Sequence, residues 1–273
     1  MDKIHFYKMH GAGNDFILID NRAGIFTGDA TALFRRWCHR RLGVGADGLM
    51  LLENAPGVDF RLVYLNSDGR PAEMCGNGAR CAVALARRIG LCGDEAVFLV
   101  GKTRYRAQKK SETDISLYMP PPKDIKNSDW LKLDLPPEFS RPFFVNTGVP
   151  HLVLVYKGEL DDLNVAEWGR RLRYHPQFRP AGTNVNFLCL PETGPVRARV
   201  YERGVEQETL ACGTGAVACG IYLNRVLGRP SPVTVAYPGG ILEVEFNPDF
   251  SELSLSGPVV FVFEGELPLP PAD

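Results

Sequence analysis

Cys75-Gly76-Asn77-Gly78-Ala79 and Cys212-Gly213-Thr214-Gly215-Ala216 are one pentapeptide with a single difference, 137 residues apart in a chain of 273. A spacing of half the chain is the mark of a duplication. Held without gaps, the same offset puts Gly11 on Gly148, Gly45 on Gly182 and Val63-Tyr64 on Val200-Tyr201, each beside an apolar, strand-like run. The sequence therefore reads as two similar halves.

Working outward, strands are expected in pairs: 16–19 with 152–156, 49–52 with 187–190, and 60–65 with 196–201. A helix follows each Cys-Gly-x-Gly. In the first, Ala82, Leu85, Ala86 and Ile89 recur at helical spacing and Gly90 closes it. In the second, Ala216 to Leu227 is apolar almost all round, as a helix buried on every side would be. Short strands around one apolar helix, twice, predict an α+β fold of two pseudo-symmetric domains, each a barrel-like, mostly antiparallel sheet wrapped around a central helix. The expected domains are residues 1–119 with 264–273, and residues 120–263. The proline-rich stretch from Pro120 to Pro142 is expected to hold the linker, and the tail from Glu266 to lie on the surface. Equivalent loops would meet in a cleft between the domains, the default binding site.

Composition bounds the partners. With 31 Lys and Arg against 32 Asp and Glu, the formal charge is -1, so no basic field invites nucleic acid or anionic lipid. Neither a signal-like apolar segment near the N-terminus nor a run approaching about 18 apolar residues is present, which predicts a cytoplasmic protein with a small-molecule substrate. Seven Cys, an odd and sparse set, point to thiols in a reducing compartment.

A thiol at a helix start feels the positive end of the helix dipole, which is expected to lower its pKa. The glycines behind it leave N–H groups able to hold a carboxylate. Two such loops over one ligand suit inversion of a carbon next to a carboxylate: one Cys takes a proton from one face and the other returns one to the opposite face. The amides then stabilise the carbanionic charge that develops. A free Cys is commonly a buried small hydrophobe, and that reading is kept for Cys38, Cys81, Cys92, Cys189 and Cys219.

Other motifs carry less. Gly43-Val44-Gly45-Ala46-Asp47-Gly48 fits G-x-G-x-x-G but follows an expected helix (31–42) and precedes a strand, the reverse of a dinucleotide site, so it reads as a turn. Gly213 to Ala218 fits G-x-G-x-x-A, but no βαβ alternation is expected around it. The five His are scattered, and no metal site is expected.

Beyond these motifs, Lys8-Met9-His10-Gly11-Ala12-Gly13-Asn14-Asp15-Phe16, Asn66-Ser67-Asp68-Gly69, Met74 to Cys81, Pro150-His151, Gly182-Thr183-Asn184-Val185-Asn186-Phe187 and Tyr201-Glu202-Arg203-Gly204 leading to the Cys212 loop resemble the diaminopimelate epimerase family over nearly the whole chain. The resemblance implies a cofactor-independent isomerase that interconverts LL- and meso-diaminopimelate for lysine and peptidoglycan synthesis. It implies Cys75 and Cys212 as the acid/base thiols, assisted by His151 and Glu202. Gly76, Asn77, Gly213 and Thr214 would supply amides to the reacting carboxylate, and Asn14, Asn66, Asn184, Glu202 and Arg203 would bind the other amine and carboxylate groups. Relatives are often dimers, so a homodimer is allowed for. Gly48 and Val149 stand where some members have Gln and Asn, and no binding role is carried onto them.

The residue chemistry agrees with that set. Arg203 offers a bidentate carboxylate partner, and Asn suits the mixed groups of a zwitterion. Taken singly, Asn14, Asn66 and Asn184 could be turn or cap residues, Glu202 and Arg203 a solvated ion pair, and His151 a structural histidine. Two rival functions remain at this level: a racemase of proline or another single-centre amino acid, and a non-catalytic amino-acid binding or redox protein with a switchable Cys pair.

Overall fold

A computed structural model describes residues 2–72 and 74–269, and its chain divides into two compact units, residues 1–117 with 257–273 and residues 118–256. The first unit contains β1 (Lys3–Gly11), β2 (Asn14–Asp20), α1 (Thr31–Cys38), β3 (Gly48–Glu53), β4 (Phe60–Asn66), α2 (Gly76–Arg88), β5 (Glu95–Val100), β6 (Thr103–Lys109) and β7 (Asp114–Tyr118). The second contains β8 (Lys123–Lys126), β9 (Phe139–Asn146), β10 (Pro150–Tyr156), α3 (Val165–Arg173), β11 (Asn184–Cys189), β12 (Val196–Glu202), β13 (Gln207–Thr209), α4 (Gly213–Leu227), β14 (Val233–Tyr237) and β15 (Gly240–Phe246). The long β16 (Leu253–Pro268) contributes its first residues to the second unit and the rest to the first.

In the first unit the strand order is β1-β2-β3-β4-β5-β6-β7-β16, and β1 also pairs with β16, closing an eight-stranded barrel. In the second the order is β16-β15-β14-β12-β11-β10-β9-β8, with β13 on the side of β12. Most pairings are antiparallel, as expected. The parallel ones, β2/β3, β4/β5, β10/β11 and β12/β14, all bridge a crossover that contains a helix, as parallel neighbours require. The expectation that no βαβ alternation surrounds Gly213 to Ala218 is therefore wrong. The helix α4 lies between parallel β12 and β14, a relation hidden in the sequence because short β13 intervenes.

Burial explains the apolar runs. Phe16 to Ile19 in β2 and Leu152 to Leu154 in β10 are wholly buried, because α2 or α4 covers one face of the strand and a crossover helix the other. On the outer side Phe34 and Trp37 of α1 pack with Ile17, Ile19, Leu49 and Leu51, and Leu172 of α3 packs with Leu152, Leu154, Val185 and Phe187. Inside, α2 packs against β1, β2, β3, β4 and β6, and α4 against β9, β10, β11, β14 and β15. A Cβ on Gly78 would overlap Met50 and crowd Phe16, so only glycine lets α2 lie this close to the sheet.

Three local expectations change. Helix α1 ends at Cys38, not Leu42: His39 is extended at φ -69, ψ 120, and its Nδ1 accepts the N–H groups of Arg41 and Leu42 in place of helical carbonyls. Within the proline-rich stretch, 123–126 is a strand paired with β9. The tail is not simply surface, since Glu266 to Pro268 continue β16 and Leu267 is buried against Ile4. Residues 270–273 lie outside the described residues. No helix among the described residues is long and apolar enough to cross a membrane.

Candidate active site

Each unit seats one of the repeated cysteines at the N-cap of its buried helix. Cys75 (φ -111, ψ 116) caps α2 and Cys212 (φ -121, ψ 118) caps α4, each extended before the helix begins. Their carbonyls accept from Ala79 N and Ala216 N, both at 2.8 Å, so the N–H groups of Gly76, Asn77 and Gly78, and of Gly213, Thr214 and Gly215, are the helix-start donors without intrahelical acceptors. Such donors, at the positive end of the helix dipole, suit a carboxylate.

Around Cys75, in the first unit, the structure brings together Asn14 and Asn77. The Cys75 thiol donates to Asn14 Oδ1 at 3.4 Å, and Asn77 Nδ2 donates to the same oxygen at 3.5 Å. Asn77 Oδ1 in turn accepts from Arg80 Nη2 at 2.9 Å. Asn66 closes β4 in an exposed turn, its N–H donating to the Arg70 carbonyl, and no hydrogen bond among the described residues joins its side chain to Cys75.

Around Cys212, in the second unit, the cluster is denser. Cys212 Sγ is 3.5 Å from Thr214 Oγ1, and Thr214 Oγ1 is 3.0 Å from His151 Nε2. The other His151 nitrogen, Nδ1, is 3.1 Å from Asn186 Nδ2, whose amide also donates to the Leu152 carbonyl at 3.0 Å. A carbonyl can only accept, so it fixes the NH2 group of Asn186 toward His151 and leaves Nδ1 as acceptor. The ring proton then sits on Nε2 and is given to Thr214, freeing the Thr214 hydroxyl to donate to Cys212. Asn186 Oδ1 is left buried without a partner among the described residues, 2.5 Å from where a Cβ on Gly215 would stand.

Glu202 ends β12, and Thr209 of β13 donates its hydroxyl to Glu202 Oε1 across the β12/β13 pair. Asn184 Oδ1 accepts the Arg203 N–H at 2.8 Å while its Nδ2 donates to the Pro150 carbonyl at 3.1 Å, which ties the Arg203 backbone to β10 and β11. The Arg203 guanidinium has no ion pair or hydrogen bond among the described residues.

Electrostatics correct one expectation. Burial pushes the Cys212 thiol well above its ordinary value, and the nearby Glu202 carboxylate adds to this. The Thr214 hydroxyl and the Gly215 N–H pull it down without winning. Desolvation outranks the helix dipole, which is worth only about 0.3–2 kcal/mol. Burial likewise pushes His151 down to about 3, with Arg203 contributing, so the ring is neutral across the physiological range. Cys38, Cys81 and Cys219 are driven up to about 12 by burial, and Cys92 to about 11, so these four remain thiols.

Sequence reasoning assigned no role to Asn186, Thr209, Asp47, Arg40 or Arg80. The duplication could have pointed to two of the contacts: the 137-residue offset lays Asn14 on His151 and Asp47 on Asn184, and within each unit the side chains meet, Asn14 with Asp47 at 2.7 Å and His151 with Asn184 at 3.5 Å.

The comparisons with known proteins agree with this architecture. The family model described as "Diaminopimelate epimerase" matches residues 6–120 and 143–262. Proteins named diaminopimelate epimerase from Flavobacterium psychrophilum and Chlorobaculum tepidum are 40% and 42% identical to the chain, over 94% and 96% of its length and 98% and 100% of their own. Among solved structures, a Bacillus anthracis phenazine biosynthesis protein of the PhzF family superposes with a TM-score of 0.76 at 16% identity, covering 98% of this chain and 100% of that one. A hydroxyproline epimerase from Agrobacterium vitis, with trans-4-hydroxy-L-proline bound, does so with 0.68 at 15%, covering 98% and 91%. At those identities the structures share the fold, and it is the sequence relatives and the family model that place the chain: it belongs to the diaminopimelate epimerase family.

Proposed function

We propose that the protein interconverts LL- and meso-2,6-diaminopimelate without a cofactor, with Cys75 and Cys212 as the two acid/base groups. The observation that carries this reading is the repeated half-site, a cysteine at the N-cap of a buried helix, followed by helix-start N–H groups and flanked by oriented amides. One sulfur takes the Cα proton from one face of the stereocentre and the other gives a proton to the opposite face, so the product leaves the two sulfurs with exchanged protonation. The carboxylate of that carbon is held by the helix-start N–H groups, which stabilise the carbanionic charge. Asn14, Asn66, Asn184 and Glu202 receive the amine groups and Arg203 the distal carboxylate, for which an unpaired guanidinium is suited.

His151 does not exchange protons in this scheme. A ring held neutral by burial acts as a hydrogen-bond donor that turns the Thr214 hydroxyl toward Cys212. The setting is the reducing cytoplasm, which cysteines without disulfides suit, and the assembly is a homodimer, open to test by sedimentation.

The test is proton NMR of the reduced protein with LL-diaminopimelate in deuterium oxide. The expected result is formation of the meso isomer with deuterium entering the inverted centre. The variants C75A and C212A should each lose inversion by at least about a thousandfold, the scale of a lost acid/base group. Near-normal turnover in either variant, or turnover of proline-like substrates instead, overturns the reading.

A further inference from the structure

The turn 43–48 has no part in the reading above, yet it carries a carboxylate that touches the Cys75 half-site. Asp47 Oδ2 accepts from Asn14 Nδ2 at 2.7 Å and from the Asp15 N–H at 3.3 Å, and its Oδ1 accepts from Arg40 Nη2 at 2.6 Å. Its own N–H is bound to the Asp15 carbonyl at 2.9 Å. Arg40 also grips Asp15 at 2.7 and 3.1 Å, Lys8 reaches Asp15 at 2.6 Å, and the Lys8 ammonium is anchored by the Gly45 carbonyl. Although Asp47 is 43% exposed, it is fastened on three sides.

An ionised carboxylate can only accept hydrogen bonds. Asn14 must therefore present its NH2 group to Asp47 and its carbonyl oxygen to the far side, where Cys75 Sγ lies at 3.4 Å. Turning the amide over would set carbonyl against carboxylate. A carbonyl oxygen on a sulfur favours S–H over the thiolate, because only the thiol can donate to it. At the matching seat of the other repeat stand His151 and Asn184, both neutral.

We propose that Asp47, held by Arg40, is a positioning residue of the Cys75 half-site: by locking the amide of Asn14 it keeps a carbonyl on the sulfur and favours the thiol form of Cys75 in the free protein. The proposal rests on the reading of Cys75 as an acid/base group. The glycine-rich turn thus has a use: Gly45, at φ +80, and Gly43, where a Cβ would strike the Arg36 and Trp37 carbonyls, let the chain leave α1 and deliver Asp47 beside Asn14.

Among the described residues, further charges near this site are held as follows. Asp15 is held at about 2, because hydrogen bonds from Arg40 and Lys8 outweigh its burial, so it stays an anion paired with those two cations. Cys38, facing Lys8, Asp15, Arg40 and Asp47, is an uncharged thiol. On α2 the neighbours of Cys75 are Cys81, also uncharged, and the cation Arg80, which works in the opposite sense to Asn14. Asp114 of β7 interacts with Arg80, and burial raises the phenol of Tyr105 on β6, so that it stays neutral.

The experiment is the pH dependence of iodoacetamide labelling of the reduced, full-length protein, read separately at Cys75 and Cys212 by peptide mass spectrometry. In the wild type the Cys75 midpoint should lie at or above the ordinary thiol value of about 8.5. In D47A the midpoint should fall by at least about half a unit, a threefold gain in thiolate at neutral pH, while the Cys212 profile stays put; D47E should return it toward the wild type. A wild-type midpoint well below the ordinary value overturns the proposal without any variant, as does an unchanged or raised midpoint in folded D47A. Labelling needs no turnover, so failure here is distinct from failure of the epimerase reading, which C75A and C212A decide by loss of inversion.

Discussion

Thr214 Oγ1 stands 3.0 Å from His151 Nε2 and 3.5 Å from Cys212 Sγ, so one hydroxyl links a buried neutral imidazole to a buried thiol. The direction of the link is set two residues away, by the Leu152 carbonyl acting on Asn186. A donor so aligned favours the thiolate form of Cys212. Replacing it, in T214V, should raise the Cys212 labelling midpoint and lower kcat. The expected cost is about 1.5–3 kcal/mol for a lost hydrogen bond to a charged group, or about 10- to 150-fold. T214S should recover most of both, and equal losses in the two variants would show that the hydroxyl is not what acts.

The same imidazole makes folding sensitive to mild acid. Its pKa is about 3 in the folded protein against 6.5 unfolded, so the unfolded chain takes up the proton first. Stability is unaffected by this group above about pH 6.5 and falls, as pH drops from there toward 3, by up to about 1.4 kcal/mol per unit. Asp15 acts in the same direction but lower, between 3.8 and about 2. Urea unfolding at pH 7, 6 and 5 should therefore show a slope that H151Q lacks. An equal slope in the variant would mean the ring titrates normally and lies more open than the structure has it.

How much of this could be read from the sequence follows from which interactions are local. The Cys-Gly-x-Gly repeats, the helices behind them and the strand runs are contiguous signals, and the duplication doubles each one. The partners of the thiols are not contiguous. His151 meets Asn184 and Asn186 because β10 and β11 pair in parallel, and Asn14 meets Asp47 because β2 and β3 do. Register across a crossover helix is not written in either strand's periodicity. The helix-start seat of each thiol was legible, and the direction expected for the Cys212 pKa was not, since burial, a property of the folded whole, overrides the helix dipole.

Arg80 presents a different case, a side chain with 0% exposure whose guanidinium donates to the Gly76 carbonyl and Asn77 Oδ1 and whose Nε has no partner among the described residues. No carboxylate pairs with it among the described residues. A buried cation without a counter-ion is costly, and replacing such charges by apolar residues of similar volume is often neutral or stabilising. R80M should therefore change stability by no more than about 2 kcal/mol, the gain being offset by the loss of the donor to Asn77 Oδ1. Removing the cation should nonetheless raise the Cys75 labelling midpoint, opposite to D47A. A midpoint that does not move would confine Arg80 to packing.

Glu202 sets the last test, because it opposes Thr214 at one sulfur. Burial is the larger cause of the raised Cys212 thiol, and the Glu202 carboxylate is next. Thr209 holds that carboxylate from β13, so its position is built into the sheet. E202Q removes the charge with little change of shape, and the Cys212 midpoint should fall, whereas T214V raises it. Both groups act on the same atom, so the double variant E202Q/T214V should lie between the two, and departure from additivity measures their coupling. For inversion the signs differ: a lower midpoint makes Cys212 a readier base at rest but a poorer one per thiolate, so E202Q should shift the pH profile of kcat toward acid while lowering its maximum. A Cys212 midpoint that stays put in folded E202Q would mean that burial alone holds the thiol up, and Glu202 would then be left with substrate binding as its only role.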